Sequence, residues 1–202
     1  MTLKSLLLGA TAASCLGLAA HAERGADGHV NVIYWQAPSI MNPYLSGGTK
    51  EIEAASLVIE PLGRYNEKGE MVPYLAEEIP TVENGGVAED LKSITWKIKP
   101  GLTWSDGTPF TATDVKFTAE YCMNPEGGCA QLAKYEGVSS VEVIDDLPVK
   151  VNFADAQPNP YGPFMGGQSP IIQAAQYAEC TGARASECAE ENFAPIGTGP
   201  FV

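Results

Sequence analysis

The clearest alternation of apolar and polar positions lies near the middle of the chain. Residues 94–99 alternate over six positions, the pattern of a strand with one buried face. Two further apolar runs, Val138–Ile144 and Val149–Phe153, flank the turn sequence 145–148. These runs predict a β-hairpin.

The N-terminal half contains further strand patterns. Residues 30–36 are rich in β-branched and aromatic side chains and stop before Pro38, which predicts a first strand followed by a loop. Leu62–Tyr65 and Met71–Pro73 flank the turn sequence 66–69 and predict a second hairpin.

Two helices are predicted between these strands. Thr49 should cap the first helix, whose first turn carries the favourable acidic residues Glu51 and Glu53, and Pro61 should end it. The second should start at the capping sequence Thr111–Asp114 and run to about Tyr121. Because helices and strands are interspersed, we expect a mixed α/β (α+β) fold.

The net charge and the lack of catalytic sequence motifs exclude several classes of function. The 202 residues include 12 Lys and Arg against 25 Asp and Glu, for a net charge of −13. A nucleic-acid surface needs clustered cations, so we expect no nucleic-acid partner. The sequence contains no nucleophile elbow, zinc-protease motif or P-loop. We therefore expect no catalytic residues, no metal site and no cofactor.

The first 22 residues have the features of a cleaved secretory signal peptide. Lys4 is the only charged residue before Glu23, and a run of apolar and small residues ends at Ala20-His21-Ala22, an A-x-A cleavage pattern. We predict a signal peptide over 1–22 and a mature chain over 23–202. A retained membrane anchor and lipid attachment at Cys15 are the alternatives.

Four cysteines remain after the predicted cleavage, in two close pairs. In an oxidising compartment, Cys122 and Cys129 should form one disulfide, and Cys180 and Cys188 a second. The alternative is a four-cysteine zinc site, but neither pair has C-x-x-C spacing and His29 adds no ligand cluster.

Two irregular segments are predicted to have structural roles. Trp104–Gly107 contains an Asp-Gly pair, which is typical of a tight turn, so we interpret this segment as structural. The segment Asp155–Gly167 is rich in Pro, Asn and Gly and could be a linker. Its Tyr161, Phe164 and Met165 favour a packed loop instead.

Three segments of the chain resemble a known family. Residues 94–117 (ITWKIKPGLTWSDGTPFTATDVKF) strongly resemble the signature of the family 5 extracellular solute-binding proteins, the dipeptide, oligopeptide and nickel binders of ABC importers. Ser56–Glu78 and the Gly-Thr-Gly-Pro loop within 194–201 are similar to other family segments. Family members continue well beyond that loop, so we expect the N-terminal part of a class II, two-lobed periplasmic binding protein. A short natural domain is the alternative.

The resemblance implies a binding function without catalysis. We expect a monomer in the periplasm that captures a small solute, in particular a di- or oligopeptide, and delivers it to ABC permease subunits in the membrane. Other ligands of the same family type, a metal chelate, a sugar or an opine, are the alternatives, and a secreted hydrolase is the alternative from another class. In peptide-binding relatives, the acidic residue that holds the peptide amino terminus lies beyond the position of Val202.

The resemblance also suggests ligand-contacting segments. In relatives, the loop corresponding to 36–42 faces the cleft between the lobes, and a stretch near the cleft is similar to 166–169. The candidate ligand-binding residues are Gln36, Pro38, Ser39, Asn42, Gln168 and Ser169, which offer amide, hydroxyl and backbone groups to an extended ligand. An ordinary surface loop is the alternative for 36–42.

Overall fold

A three-stranded antiparallel sheet is the larger of the two sheets in the computed structural model, which describes residues 33–201. In chain order, the elements are α1 (Thr49–Ala55), β1 (Gly63–Tyr65), β2 (Met71–Pro73), β3 (Ser93–Lys97), α2 (Ala112–Met123), β4 (Val138–Val143), β5 (Pro148–Phe153), α3 (Ala174–Tyr177) and α4 (Ala189–Phe193). The predicted signal peptide, His29 and Val202 lie outside the described residues. Residues 33–35 belong to a different unit from the one that starts at Gln36.

The sheet has the strand order β3-β5-β4, and both neighbouring pairs are antiparallel. Ile94 and Trp96 on β3 are fully buried, opposite Val151 and Val149 on β5. The predicted one-sided strand and the β4–β5 hairpin are therefore confirmed. The predicted hairpin of β1 and β2 is also confirmed, with Tyr65 opposite Met71.

The second predicted helix is confirmed as α2. The backbone N–H of Thr111 donates to Asp114 Oδ2 at 3.0 Å, closing the predicted capping box. Asp114 also accepts from Trp104 Nε1 at 3.3 Å and, through Oδ1, from the backbone N–H of Ala174 at 3.0 Å. The start of α2 is thus tied to the 104–107 turn and to α3. Within residues 33–201, no helix combines the length and apolarity needed to cross a bilayer.

Near the N-terminus of the described residues, one prediction is wrong and another is right in type but wrong in its bounds. Residues 33–36 form no strand, since they pair with no other strand among the described residues; positions 30–32 lie outside them. The predicted first helix is present, but its N-cap is Gly48 and not Thr49, and it ends at Ala55 instead of continuing to Pro61. It stops early because the next turn makes tertiary contacts instead: the carbonyl of Val58 accepts from the N–H of Gly199 at 2.8 Å.

The irregular segment 155–167 packs as predicted. Phe164 and Met165 are buried, and the Phe164 ring lies 5.9 Å from the Tyr135 ring. The carbonyl of Phe164 accepts the N–H of Leu62 at 3.0 Å. This segment is a packed loop and not an open linker.

Both predicted disulfides are present. Cys122 bonds to Cys129, and Cys180 bonds to Cys188. Glu191 lies beside the second pair, but the paired sulfur atoms offer no thiolate for a metal. Each bridge closes a loop of fewer than ten residues, for which the chain-entropy model gives about 2–3 kcal/mol of stabilisation.

The 104–107 turn has the structural role predicted for it. Gly107 donates to the carbonyl of Trp104 at 2.9 Å and has a φ of 85°. Asp106 Oδ1 accepts from the N–H and hydroxyl of Thr108, and Oδ2 accepts from Gln173 Nε2. These hydrogen bonds, those from Thr108 first, hold the pKa of Asp106 below its ordinary value.

Replacing Gly107 by Val should destabilise the fold by about 1–3 kcal/mol, because a β-branched residue resists positive φ. The space around Gly107 is open, so the cost comes from the backbone conformation. Gly107→Asn is the matched control and should cost less, since Asn tolerates this region better. Urea unfolding of the three proteins measures the difference, and equal midpoints for wild type and Gly107→Val would contradict the prediction.

Candidate ligand-binding site

The two candidate segments, 36–42 and 166–169, both contact α1. Ser39 donates to Glu51 Oε1 from its backbone N–H at 3.2 Å and from its hydroxyl at 3.0 Å. At the other segment, a Cβ added to Gly167 would lie 3.4 Å from Ile52 Cγ2. The structure therefore brings the two segments to a single short helix, although they are more than 120 residues apart in sequence.

Glu51 is the electrostatic anchor of the 36–42 loop. Its side chain is only 3% exposed and pairs with Lys50. Pairing with Lys50, together with the hydrogen bonds from Ser39, lowers the pKa of Glu51 from 4.5 to about 2. The carboxylate is thus ionised at neutral pH and holds Ser39 through charge-assisted hydrogen bonds.

The candidate residues differ in their accessibility. Gln36, Ser39 and Gln168 are exposed and Pro38 is half-buried. Asn42 and Ser169 are fully buried, and their polar atoms bond to protein groups. Asn42 Nδ2 donates to Tyr121 Oη and to Asn192 Oδ1, and Ser169 Oγ accepts the N–H of Phe164 at 2.9 Å. In this arrangement, neither buried side chain reaches the surface.

A buried tyrosine links the residues that directly follow the two candidate segments. Tyr44 Oη donates to the carbonyl of Pro170 at 2.5 Å and lies 3.3 Å from Tyr135 Oη. Burial raises the pKa of Tyr44 well above its ordinary value and that of Tyr135 to about 12. Both phenols therefore stay neutral at physiological pH, and the Tyr44 hydroxyl remains a hydrogen-bond donor.

A groove of about 320 Å³ opens beside α1. It is lined by Ile52, Glu53, Ser56, Arg64, Tyr65, Gly166 and Gly167. Arg64 Nη2 donates to the carbonyl of Ser56 at 3.1 Å, and its Cζ lies 3.9 Å from the centre of the Tyr74 ring. Arg64 and Tyr65 were not among the predicted site residues. They sit on a hairpin strand, and their place beside the 166–167 segment is a tertiary feature with no signal in the sequence.

A second hollow, of about 400 Å³, is lined in part by Ser39. Ile40, Ser186, Ala189, Asn192 and Phe193 complete its lining, and Phe193 is 58% exposed. An exposed aromatic ring beside polar loop atoms can accept an apolar group of a ligand.

The Gly-Thr-Gly-Pro loop packs against the chain that follows α1. A Cβ on Gly197 would overlap the carbonyl oxygen of Val58, and one on Gly199 would lie 2.6 Å from that of Leu57. The hydroxyl of Thr198 donates to Glu60 Oε2 at 3.0 Å, and the carbonyl of Gly197 accepts the N–H of Ser105 at 2.8 Å. The glycines are needed here for close approach of the backbones.

Comparisons with known proteins identify the fold and the family of the chain. The fold, which combines helices with small antiparallel sheets, is shared with solved periplasmic binding proteins. Residues 70–202 match the family described as bacterial extracellular solute-binding proteins, family 5 Middle. The chain belongs to this family.

Three individual proteins are similar to the chain. The glutathione-binding protein GsiB of Pectobacterium atrosepticum is 22% identical over 161 residues, which cover 80% of this chain and 29% of the relative. The oligopeptide-binding protein AppA of Bacillus subtilis, solved with a nonapeptide, matches with a TM-score of 0.69 and 25% identity over 82% of this chain and 31% of its own. AgaA from A. tumefaciens R10, solved with agropinic acid, matches with a TM-score of 0.66 and 25% identity over 81% and 30%. The chain spans less than a third of the length of each.

Replacing Gly197 by Ala should destabilise the protein by about 1–3 kcal/mol, because the new methyl group would overlap the backbone of Val58. Gly47→Ala is the matched control, since nothing lies within 4 Å of a Cβ at that position. Chemical unfolding of both variants tests this, and an equal effect of the two substitutions would contradict it.

Replacing Glu51 by Gln should remove a pH-dependent part of the stability. Since the folded pKa is about 2 against an ordinary 4.5, ionised Glu51 stabilises the native state above pH 4.5. This contribution is lost as the pH falls from 4.5 towards 2. The stability difference between wild type and Glu51→Gln, from urea unfolding, should therefore be larger at about pH 7 than at about pH 3.

Glu53→Gln removes one negative charge from the same helix and serves as the control, because Glu53 lies on the exposed side of α1. A difference between wild type and Glu51→Gln that stays constant over this pH range would show that Glu51 acts by packing and not by charge.

Proposed function

We propose that this chain is part of the periplasmic substrate-binding component of an ABC importer and that its ligands are di- and oligopeptides. The observation that carries the proposal is the convergence of the exposed loop 36–39 and the segment 166–168 on α1, in a chain that belongs to the family 5 solute-binding proteins. AppA, solved with a nonapeptide, and GsiB, which binds glutathione by its name, support peptides as the ligand class.

The exposed groups suit a peptide backbone. The amides of Gln36 and Gln168 each offer a donor and an acceptor, and an extended ligand needs both kinds of partner. Recognition of the backbone leaves the ligand side chains free to vary, and the hollow beside Phe193 can take apolar ones. Binding of this type needs no nucleophile, metal or cofactor.

The proposal also covers export of the protein and its role in transport. Met1–Ala22 acts as a signal peptide that is removed on export, and the mature chain works as the N-terminal part of a two-lobed monomer. The lobes close on the peptide and present it to the permease subunits. A non-peptide ligand is the second candidate, favoured by the similarity to AgaA, which was solved with agropinic acid.

Peptide uptake tests the proposed function directly. Deleting the gene in the source bacterium should reduce uptake of labelled di- to pentapeptides at least tenfold, because the permease receives its peptides from the binding protein. Uptake of the free amino acids serves as the control and should not change. Unchanged peptide uptake in a strain with no other peptide importer would overturn the peptide assignment.

Complementation with site variants locates the ligand contacts. Gln36→Ala combined with Gln168→Ala should restore less uptake than wild type, since both exposed amides are lost. Glu89→Ala, an exposed position remote in sequence from both segments, should restore it fully. Chromogenic ester and glycoside substrates check the hydrolase alternative, and turnover of either would contradict a purely binding role.

A further inference from the structure

The segment Met41–Ser46 directly follows the exposed part of the candidate ligand loop, and buried amide groups hold it from two sides. Asn42 is fully buried, and Asn192 and Gln131 are 4% and 6% exposed. Each of these amides bonds to other protein groups. Since buried amides are costly to leave unpaired, such a network favours a single arrangement of the segment.

The first side of this network lies next to the Cys122–Cys129 disulfide. Immediately after the closed loop, the N–H of Ala130 donates to the carbonyl of Tyr44 at 2.7 Å. Gln131 Nε2 then donates to the carbonyl of Pro43 at 3.1 Å. Just before the loop, Tyr121 Oη accepts from Asn42 Nδ2 at 3.1 Å.

The second side lies next to the Cys180–Cys188 disulfide. Asn192 Oδ1 accepts from Asn42 Nδ2 at 2.9 Å, and the carbonyl of Asn192 accepts the N–H of Met41 at 2.8 Å. Asn192 Nδ2 donates at 2.7 Å to the carbonyl of Ala185, which lies inside the disulfide-closed loop. Asn192 sits on α4, a helix of five residues whose N-cap is Cys188.

An isolated helix of five residues is far below the length that is stable in water. The position of α4 must therefore come from its tertiary connections, of which the disulfide at its N-cap is the covalent one. Without that bridge, the N-terminal end of α4 is no longer held covalently. We then expect the two hydrogen bonds that Asn192 makes to the 41–46 segment to weaken.

We propose that Gln131 and Asn192 are positioning residues for the candidate ligand loop and that the two disulfides fix them against the 41–46 segment from opposite sides. The bridges thus do more than stabilise the fold: they set the conformation of the loop that precedes Asn42. The link to ligand binding rests on the proposed function, whereas the positioning itself can be measured without any ligand.

Hydrogen–deuterium exchange of the full chain tests the positioning. In the Cys180→Ala, Cys188→Ala double variant, exchange of the Met41 amide should accelerate at least tenfold, while the amides of β5 stay as protected as in wild type. In the Cys122→Ala, Cys129→Ala double variant, the same selective loss should appear at Ala130 and Tyr44. Asn192→Ala keeps the backbone carbonyl that accepts from Met41 but loses the side-chain bonds to Asn42 and Ala185. With both disulfides intact, it should therefore accelerate exchange of the Tyr44 amide, which donates to Asn42 Oδ1 at 3.0 Å.

Asn84→Ala is the matched control. Its side chain accepts from the N–H groups of Thr81 and Gly86 in a distant turn, so this variant should leave exchange in 41–46 unchanged. The proposal is overturned if 41–46 keeps its protection in the cysteine variants. It is equally overturned if β5 loses protection to the same degree, since the bridges would then act on the fold as a whole.

The uptake assay separates this proposal from the proposed function. If wild type restores peptide uptake, the cysteine variants should restore at least fivefold less at equal amounts of protein, and full restoration would overturn the link between the bridges and binding. If wild type restores no uptake, the proposed function fails, and the exchange result still decides whether the disulfides position the segment.

Discussion

The buried carboxylate of Asp114 connects three separate parts of the chain: the start of α2, the 104–107 turn and the start of α3. It closes the start of α2, accepts the indole N–H of Trp104 and accepts the backbone N–H of Ala174 at the start of α3. Each of these donors would be costly to bury alone. The 104–107 turn fixed in this way then bonds through Ser105 to the Gly-Thr-Gly-Pro loop.

The candidate site depends on these contacts, which run from Asp114 through the 104–107 turn to the Gly-Thr-Gly-Pro loop. The Gly-Thr-Gly-Pro loop packs on the backbone of residues 57–58, where the chain leaves α1. The seven-residue helix α1 in turn carries Glu51, which holds Ser39, and Ile52, which meets Gly167. A short helix fixed from its C-terminal side can thus present two loops that are distant in sequence as one surface.

The polar groups of this surface can form hydrogen bonds with a ligand. The carboxylate of Glu51 is ionised and already pairs with Lys50 and accepts hydrogen bonds from Ser39. The buried tyrosines keep their protons because burial raises their pKa. The accessible groups include amides, the carboxylate of Glu53 and the guanidinium group of Arg64 in the groove, and exposed aromatic rings. Such groups can hold an extended ligand with its own donors and acceptors, in keeping with a family of solute-binding proteins.

The sequence by itself determined the elements whose signals are local. The alternation around Trp96, the turn residues of both hairpins and the capping box at Thr111 depend on near neighbours, as does the close spacing of each cysteine pair. The length of α1, the burial of Asn42 and Ser169 and the groove beside Arg64 were decided only in the tertiary structure. The end of α1 depends on Gly199, the burial of Asn42 on Asn192 and the groove on the 166–167 segment, all from elsewhere in the chain. Ser169 bonds to Phe164, five residues before it, but is buried only by the packing of the whole loop. No local pattern encodes such pairings, because hydrogen bonds and close packing between distant segments form only once the chain has folded.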